Sequence, residues 1–204
     1  DIFFFFPIFT SRSNIADMDI RHILNHIYEM PDSSIEQFEH LLTKETYPKG
    51  FCILQAGKIE PDIYFIDKGI ARAYINVDGK EITFWIGKEG ATIVSLKSYV
   101  SNEQGYETVE LIEDSVLYKL KRNDLYALFN TDIHIANWGR KFAELEFMQT
   151  EERLISSLFT TASERYKALL SSTPDLLQRV PLDKLASYLG ITPVSLSRIR
   201  GNIR

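Results

Sequence analysis

The stretch PLDKLASYLGITPVSLSRIR, residues 181–200, carries two short apolar faces separated by a single glycine. Leu185, Ala186 and Leu189 line one side of a first helix, and Gly190 stands where that helix must end, because only glycine enters the left-handed turn without steric cost. Thr192 is placed to cap a second helix and Pro193 to occupy its first position, where no backbone donor is needed. Leu196 and Ile199 then face back towards the first helix, and Ala186 is small where the two helices cross. The spacing predicts a helix-turn-helix. The outer side of its second helix presents Ser195, Ser197, Arg198 and Arg200, a donor-rich face suited to phosphates and base edges, with Lys184 on the first helix as a phosphate contact.

Charge agrees with this placement. The 204 residues carry a net charge of -5, yet residues 161–204 hold seven Lys or Arg against three Asp or Glu, while the first 160 hold 16 against 25. A basic end on an acidic protein points to a polyanionic partner. The composition, 45% hydrophobic and 25% charged, supports a buried core and excludes a disordered chain. One cysteine, Cys52, excludes an internal disulfide or a cysteine-rich metal site and favours a reducing cytoplasmic setting. The longest apolar run, Ile2 to Phe9, is broken by Pro7 and falls short of the roughly 20 residues needed to cross a bilayer. A soluble protein without membrane contact is expected.

Upstream, the period of the pattern changes twice. Ile20, Ile23, Leu24 and Ile27 recur at helical spacing until Pro31, and Ser33 with Glu36 forms a capping-box pattern ahead of Ile35, Phe38, Leu41 and Leu42. From Tyr47 the period is that of strands: Ala71, Ala73, Ile75 and Val77 alternate with Arg72, Tyr74 and Asn76, then Asp78-Gly79 supplies a tight turn into Ile82, Phe84 and Ile86. Further strands are predicted at Glu107 to Ile112 and Ser115 to Leu120, giving a barrel or jelly roll. After Asn123 helical spacing returns. Ile135, Trp138, Phe142 and Leu145 open an apolar stripe that continues through Met148, Ile155 and Phe159, and a helix this long outruns one small barrel. The stripe is expected to form a dimer contact; packing on the adjacent barrel is the competing reading. The first 13 residues, with four consecutive phenylalanines, read as an atypical tail, a leader or misplaced start in preference to an apolar arm docking on a partner subunit.

Six motifs together resemble the Crp-Fnr family of bacterial transcription regulators over about residues 45–204: YPKG at 47–50, LQAGKIEPDIYFIDKG at 54–69, DGKEIT at 78–83, LIEDSVLYKL at 111–120, SERYKALL at 163–170, and the helix-turn-helix ending in LSRIR. The resemblance implies an α+β protein. Residues 14–130 would form a cyclic-nucleotide-binding-like antiparallel β-roll with flanking helices, 131–160 a dimerisation helix, and 161–204 a winged helix-turn-helix that reads a palindromic site as a homodimer. It implies double-stranded DNA and RNA polymerase as partners, and matches Arg198 to the arginine that reads a base. Two departures stand out. The wing is expected to be truncated or absent, since the sequence stops at Arg204, and Val194 stands where many members carry an acidic base-reading residue.

The family's nucleotide binders hold a cyclic phosphate with a Gly-Glu pair opening a short helix and a following arginine fork. Here Val94-Ser95 stands near the first position and Tyr106-Glu107 near the second. From Trp85 to Glu113 there is no arginine, two lysines and five glutamates. Ser95, Lys97, Ser98 and Tyr106 are therefore candidate pocket residues for some unknown small-molecule effector, and cyclic AMP is not expected to be the ligand. No cofactor is expected. His22 and His26 lie four apart without a third ligand nearby. No Gly-rich phosphate loop, nucleophile elbow or HExxH occurs, so an enzyme is disfavoured. The alternative to a DNA-binding regulator is a small-molecule or protein-interaction module that has lost DNA binding.

Overall fold

The computed structural model describes residues 19–203. The tail at 1–13 lies outside the described residues. Two helices, α1 (Ile20–Ile27) and α2 (Asp32–Leu41), precede eight strands that form two four-stranded antiparallel sheets. One sheet has the order β1 (Thr43–Tyr47), β8 (Ser115–Leu120), β3 (Ile63–Lys68), β6 (Thr92–Ile93); the other has β2 (Cys52–Leu54), β7 (Thr108–Leu111), β4 (Ala71–Val77), β5 (Lys80–Gly87). Between β6 and β7 lies the short helix α3 (Leu96–Ser101). The chain then continues through α4 (Arg122–Thr131), α5 (Ile133–Phe159), α6 (Ala162–Ser172), α7 (Pro174–Arg179), α8 (Leu182–Tyr188) and α9 (Pro193–Ile203). This is the expected α+β architecture, a jelly-roll β-domain with C-terminal helices.

The Asp-Gly turn forms as its residues require, with Asp78 and Gly79 both at positive φ, 51° and 78°, joining the longest pair of strands. The capping box at Ser33 does not form. Helix α2 starts two residues earlier, with Pro31 as its cap, so Ser33 already lies inside the first turn. A capping box is found instead at Thr161 and Glu164, opening α6.

The barrel interior is filled by Ile53, Leu54, Ile66, Ala71, Ala73 and Leu117 with their neighbours. A second cluster joins α1, α2, α4 and the start of α5 to the outside of the barrel. Its centre is Trp138, 1% exposed, whose indole Nε1 donates to the Leu24 carbonyl at 3.1 Å and whose ring meets Phe38 edge-on at 4.9 Å and stacks on Phe142 at 5.6 Å. This corrects the expected dimer contact. Ile135 and Trp138 are buried within their own chain, and Phe142 and Leu145 pack against the same cluster, so about the first three turns of the stripe bind the N-terminal helices.

A third cluster binds the C-terminal helices to the barrel. Ile70, Ile86 and Ile112 meet Tyr166, Leu169, Leu176, Leu177, Leu185 and Leu196. Both faces of the β4–β5 hairpin near Gly87 are consequently covered. Simple alternation fails there: Arg72 is 1% exposed, while Val77 and Ile82, beyond the covered zone, are 43% and 45% exposed.

Candidate nucleic-acid interface and ligand pocket

Helices α8 and α9 meet as the residues of 181–200 require. Leu185, Ala186, Leu189 and Leu196 are buried, and Gly190 turns the chain at φ 68°. Its N–H bonds the Ser187 carbonyl while that of Ile191 bonds Ala186, both at 3.0 Å, which closes α8. The Thr192 hydroxyl accepts from the Ser195 N–H at 3.2 Å and lies 3.0 Å from the Ser195 hydroxyl, so the cap forms and Ser195 is held in it. Val194, Ser197 and Arg198 are exposed on the outer side of α9.

Two of the expected contacts lie elsewhere. Arg200 turns inward: its Nη2 donates to the Leu177 carbonyl at 3.2 Å and its guanidinium lies 5.9 Å from the Tyr166 ring centre. It follows Ile199, whose side faces the core, and comes four residues after buried Leu196, which places it on the inner flank of the helix. Lys184 is held by Glu81 of β5 at 2.9 Å.

Lys184 belongs to a larger set of contacts that the sequence did not reveal. Glu81 also accepts from Arg72 at 2.5 Å, and Arg72 reaches Glu110 at 2.8 Å and the Thr83 hydroxyl at 3.2 Å, giving two cations and two carboxylates at the edge of the sheet. Burial works to raise the Glu81 carboxyl, but hydrogen bonds from Lys184 and Arg72 outweigh it and hold the group below its ordinary range. Beside this set the Ser187 hydroxyl donates to the Glu81 carbonyl and accepts from the Thr83 N–H, both at 2.9 Å, so α8 closes the free edge of β5. Arg179 on α7 grips Glu89 with two nitrogens, at 2.6 and 3.0 Å, and also reaches Glu113; Lys88 pairs with Asp175 at 2.9 Å. Part of the positive charge of the C-terminal segment is therefore answered by the acidic barrel itself.

The four candidate pocket residues do not converge. Lys97 is exposed and pairs with Glu103 at 3.3 Å, and the buried Ser98 hydroxyl donates to the Glu103 carbonyl at 2.9 Å. Tyr106 is 61% exposed, 6.4 Å from the Phe84 ring. Ser95 is buried, and its hydroxyl has no partner among the described residues. It sits against Gly105, where an added Cβ would stand 2.6 Å from the Ser95 oxygen and 3.5 Å from the Glu107 carboxylate. Glu107 is itself 6% exposed. The groups at the base of α3 are thus a hydroxyl and a carboxylate. Arg122 is hydrogen-bonded to Asn102 at the other end of α3, at 3.4 Å. Cys52 is half-buried on β2, and burial with Glu110 nearby pushes its thiol up, which disfavours the thiolate. His22 and His26 stack at 6.4 Å; among the described residues no three ligand-type side chains gather, and no helix is long and apolar enough to cross a membrane.

Residues 44–132, comprising the barrel and α4, match the cyclic nucleotide-binding domain family. Solved structures extend the likeness over both parts of the chain. FixK2 from Bradyrhizobium japonicum superposes with a TM-score of 0.65 at 19% identity, covering 79% of this chain and 84% of that one. The c-di-GMP responsive global regulator CLP of Xanthomonas campestris gives 0.63 at 16%, covering 85% and 91%. The chain has the Crp-Fnr regulator fold. A CooA variant from Carboxydothermus hydrogenoformans extends the Crp-Fnr likeness to 96% of this chain and 86% of that one, at TM-score 0.62 and 14% identity. No curated protein matches the chain by sequence.

Proposed function

We propose that the protein is a homodimeric DNA-binding transcription regulator, acting in the cytoplasm by binding and not by catalysis. The observation that carries this reading is the outer side of α9: a threonine-capped helix, buried on one side against α8, that leaves Ser197 and Arg198 free to solvent while the neighbouring basic residues Lys184 and Arg200 are engaged within the chain. A dimer with two such helices would reach successive major grooves about 34 to 36 Å apart on a palindromic duplex. Arg198→Ala is expected to cost about 1 to 3 kcal/mol per half-site on the preferred sequence selected from random duplexes, and much less on unrelated DNA. Fluorescence anisotropy with both duplexes checks it. Equal losses on the two would make Arg198 a phosphate contact only; no loss on either would favour an interaction module without DNA binding.

The second copy would pair along the C-terminal half of α5. There Phe147, Met148, Leu154, Ile155, Leu158 and Phe159 are all exposed, and separations of three, four and seven residues set them along one side of the helix, away from Phe142 and the core.

Cyclic AMP is not the effector in this reading. A cyclic phosphate beside α3 would meet the Glu107 carboxylate and the Ser95 hydroxyl in place of an arginine fork, and Lys97 is already paired. Isothermal calorimetry with cyclic AMP is expected to show no saturable heat at micromolar nucleotide. A one-to-one heat lost in Lys97→Ala would show that a lysine replaces the fork.

A further inference from the structure

A cavity of about 550 Å³ separates β5 from the middle of α5 and reaches α6 and the end of α8. It lies apart from α3 and the residues around Ser95. Small-molecule sites fall in this range of volume. Its two walls differ in character. Phe84, Trp85, Ile86, Leu169 and Leu189 form an apolar wall; Glu146, Gln149, Thr150 and Arg153, spaced three and four apart on one side of α5, form a polar one.

The charges lining it are unequally committed. Lys88 is paired with Asp175, while one Arg153 nitrogen donates to the Phe84 carbonyl at 3.1 Å and two Arg165 nitrogens to the carbonyls of Thr160 and Leu189 at 2.5 and 2.9 Å, which ties both guanidinium groups to backbone without neutralising them. Glu89 is held by Arg179. Glu146 and Glu152 remain, and among the described residues no donor is hydrogen-bonded to either carboxylate. Burial pushes the Glu146 carboxyl up, with Arg153 only partly opposing it, as expected of a carboxylate short of partners.

We propose that this cavity is a binding site for a small organic cation, its apolar body against Trp85 and Phe84 and its ammonium or other N–H donor on Glu146. The cavity touches the strand, the long helix and the α8 end at once, so its occupant would bias how α8 docks on β5. That consequence rests on the DNA-regulator reading; the binding does not.

Calorimetry with phenethylamine, phenethyl alcohol and phenylacetate separates the charge term from the shared ring, and Trp85 fluorescence reports where the ring goes. Phenethylamine is expected to saturate, with an affinity about tenfold above that of phenylacetate, as one favourable ion pair of about 1.4 kcal/mol would give. The accompanying change in fluorescence should be absent in Trp85→Phe. Glu146→Gln, nearly isosteric, should reduce the preference below about threefold while leaving the fold intact by circular dichroism. No saturation by phenethylamine to millimolar concentration, or saturation indifferent to Glu146→Gln, overturns the site. If the charge preference holds while Arg198→Ala changes no DNA affinity, the site stands and the regulator reading falls.

Discussion

Leu154→Glu combined with Leu158→Glu is expected to convert the proposed dimer to a monomer. The two side chains are 58% and 67% exposed within one chain, so substitution removes little that the fold uses. In a symmetric dimer each is buried twice. At about 1.5 kcal/mol for each of four leucines, the lost apolar burial alone is about 6 kcal/mol, or about four powers of ten in dissociation constant. Four glutamates brought together add repulsion. Sedimentation equilibrium at micromolar protein reads the change, and thermal unfolding of the barrel should be nearly unaltered. Phe142→Glu is a different experiment, because Phe142 stacks on buried Trp138 and its loss would damage the chain's own core. A wild-type monomer would overturn the dimer, and a dimer that survives both glutamates would place the contact elsewhere.

The contrast between Phe142 and Leu158 shows what the sequence could and could not disclose. Helical spacing shows apolar residues recurring along α5 from Ile135 to Phe159, but Ile135, Trp138, Phe142 and Leu145 lie on one side of the helix and Phe147, Leu154 and Leu158 on nearly the opposite one, and spacing does not say what covers either. The first side is covered over about three turns by Ile23, Leu24 and Phe38, more than 90 residues earlier, and the second is left open in the last turns. Features whose cause is local are legible in the sequence: the Asp78-Gly79 turn, the Gly190 turn and the Thr192 cap each depend on a few adjacent residues, although the Ser33–Glu36 pattern loses its cap to Pro31. Strand β1, with its polar residues and its place at the edge of a sheet, lacks the alternation that marked β4. The burial of Arg72 is hidden from the sequence for a related reason. Its neighbours alternate as in a strand with one wet side, yet that side is covered by α8, and its charge is answered by Glu81 and Glu110. Pairings such as Lys184 with Glu81 join residues about a hundred positions apart, and no spacing rule in one sequence finds them. The basic excess of residues 161–204 is plain in the sequence, but a count does not distinguish charge offered to DNA from charge offered to the protein's own barrel.

Arg179→Ala tests that internal use of charge. Glu89 is 7% exposed, and its carboxylate accepts from Arg179 and from the Gly69 N–H at 2.9 Å. Burial works to raise its pKa, and the Arg179 and Gly69 hydrogen bonds overcome this and hold it below the ordinary value. Removing the arginine leaves a buried carboxylate short of a partner and Glu113 unpaired, which is expected to cost about 3 kcal/mol at pH 7, the low end for a buried pair because Arg179 is itself partly solvated. Urea unfolding measures it. The pH dependence has a defined sign. In the wild type the folded-state pKa of Glu89 is depressed, so its contribution is fully present above the unfolded value near 4.3 and is lost as pH falls through the folded value. In Arg179→Ala burial acts with little opposition, the folded pKa rises above 4.3, and the penalty grows as pH rises through that range. The difference between the two proteins should therefore shrink below about pH 4.3 and be largest near neutrality. Adding Glu89→Gln to Arg179→Ala should recover part of the loss at pH 7, since a neutral amide is cheaper to bury than a lone carboxylate. A difference that is constant from pH 7 to pH 4, with no recovery in the double variant, would mean that Arg179 holds α7 by packing of its stem and not by its charge.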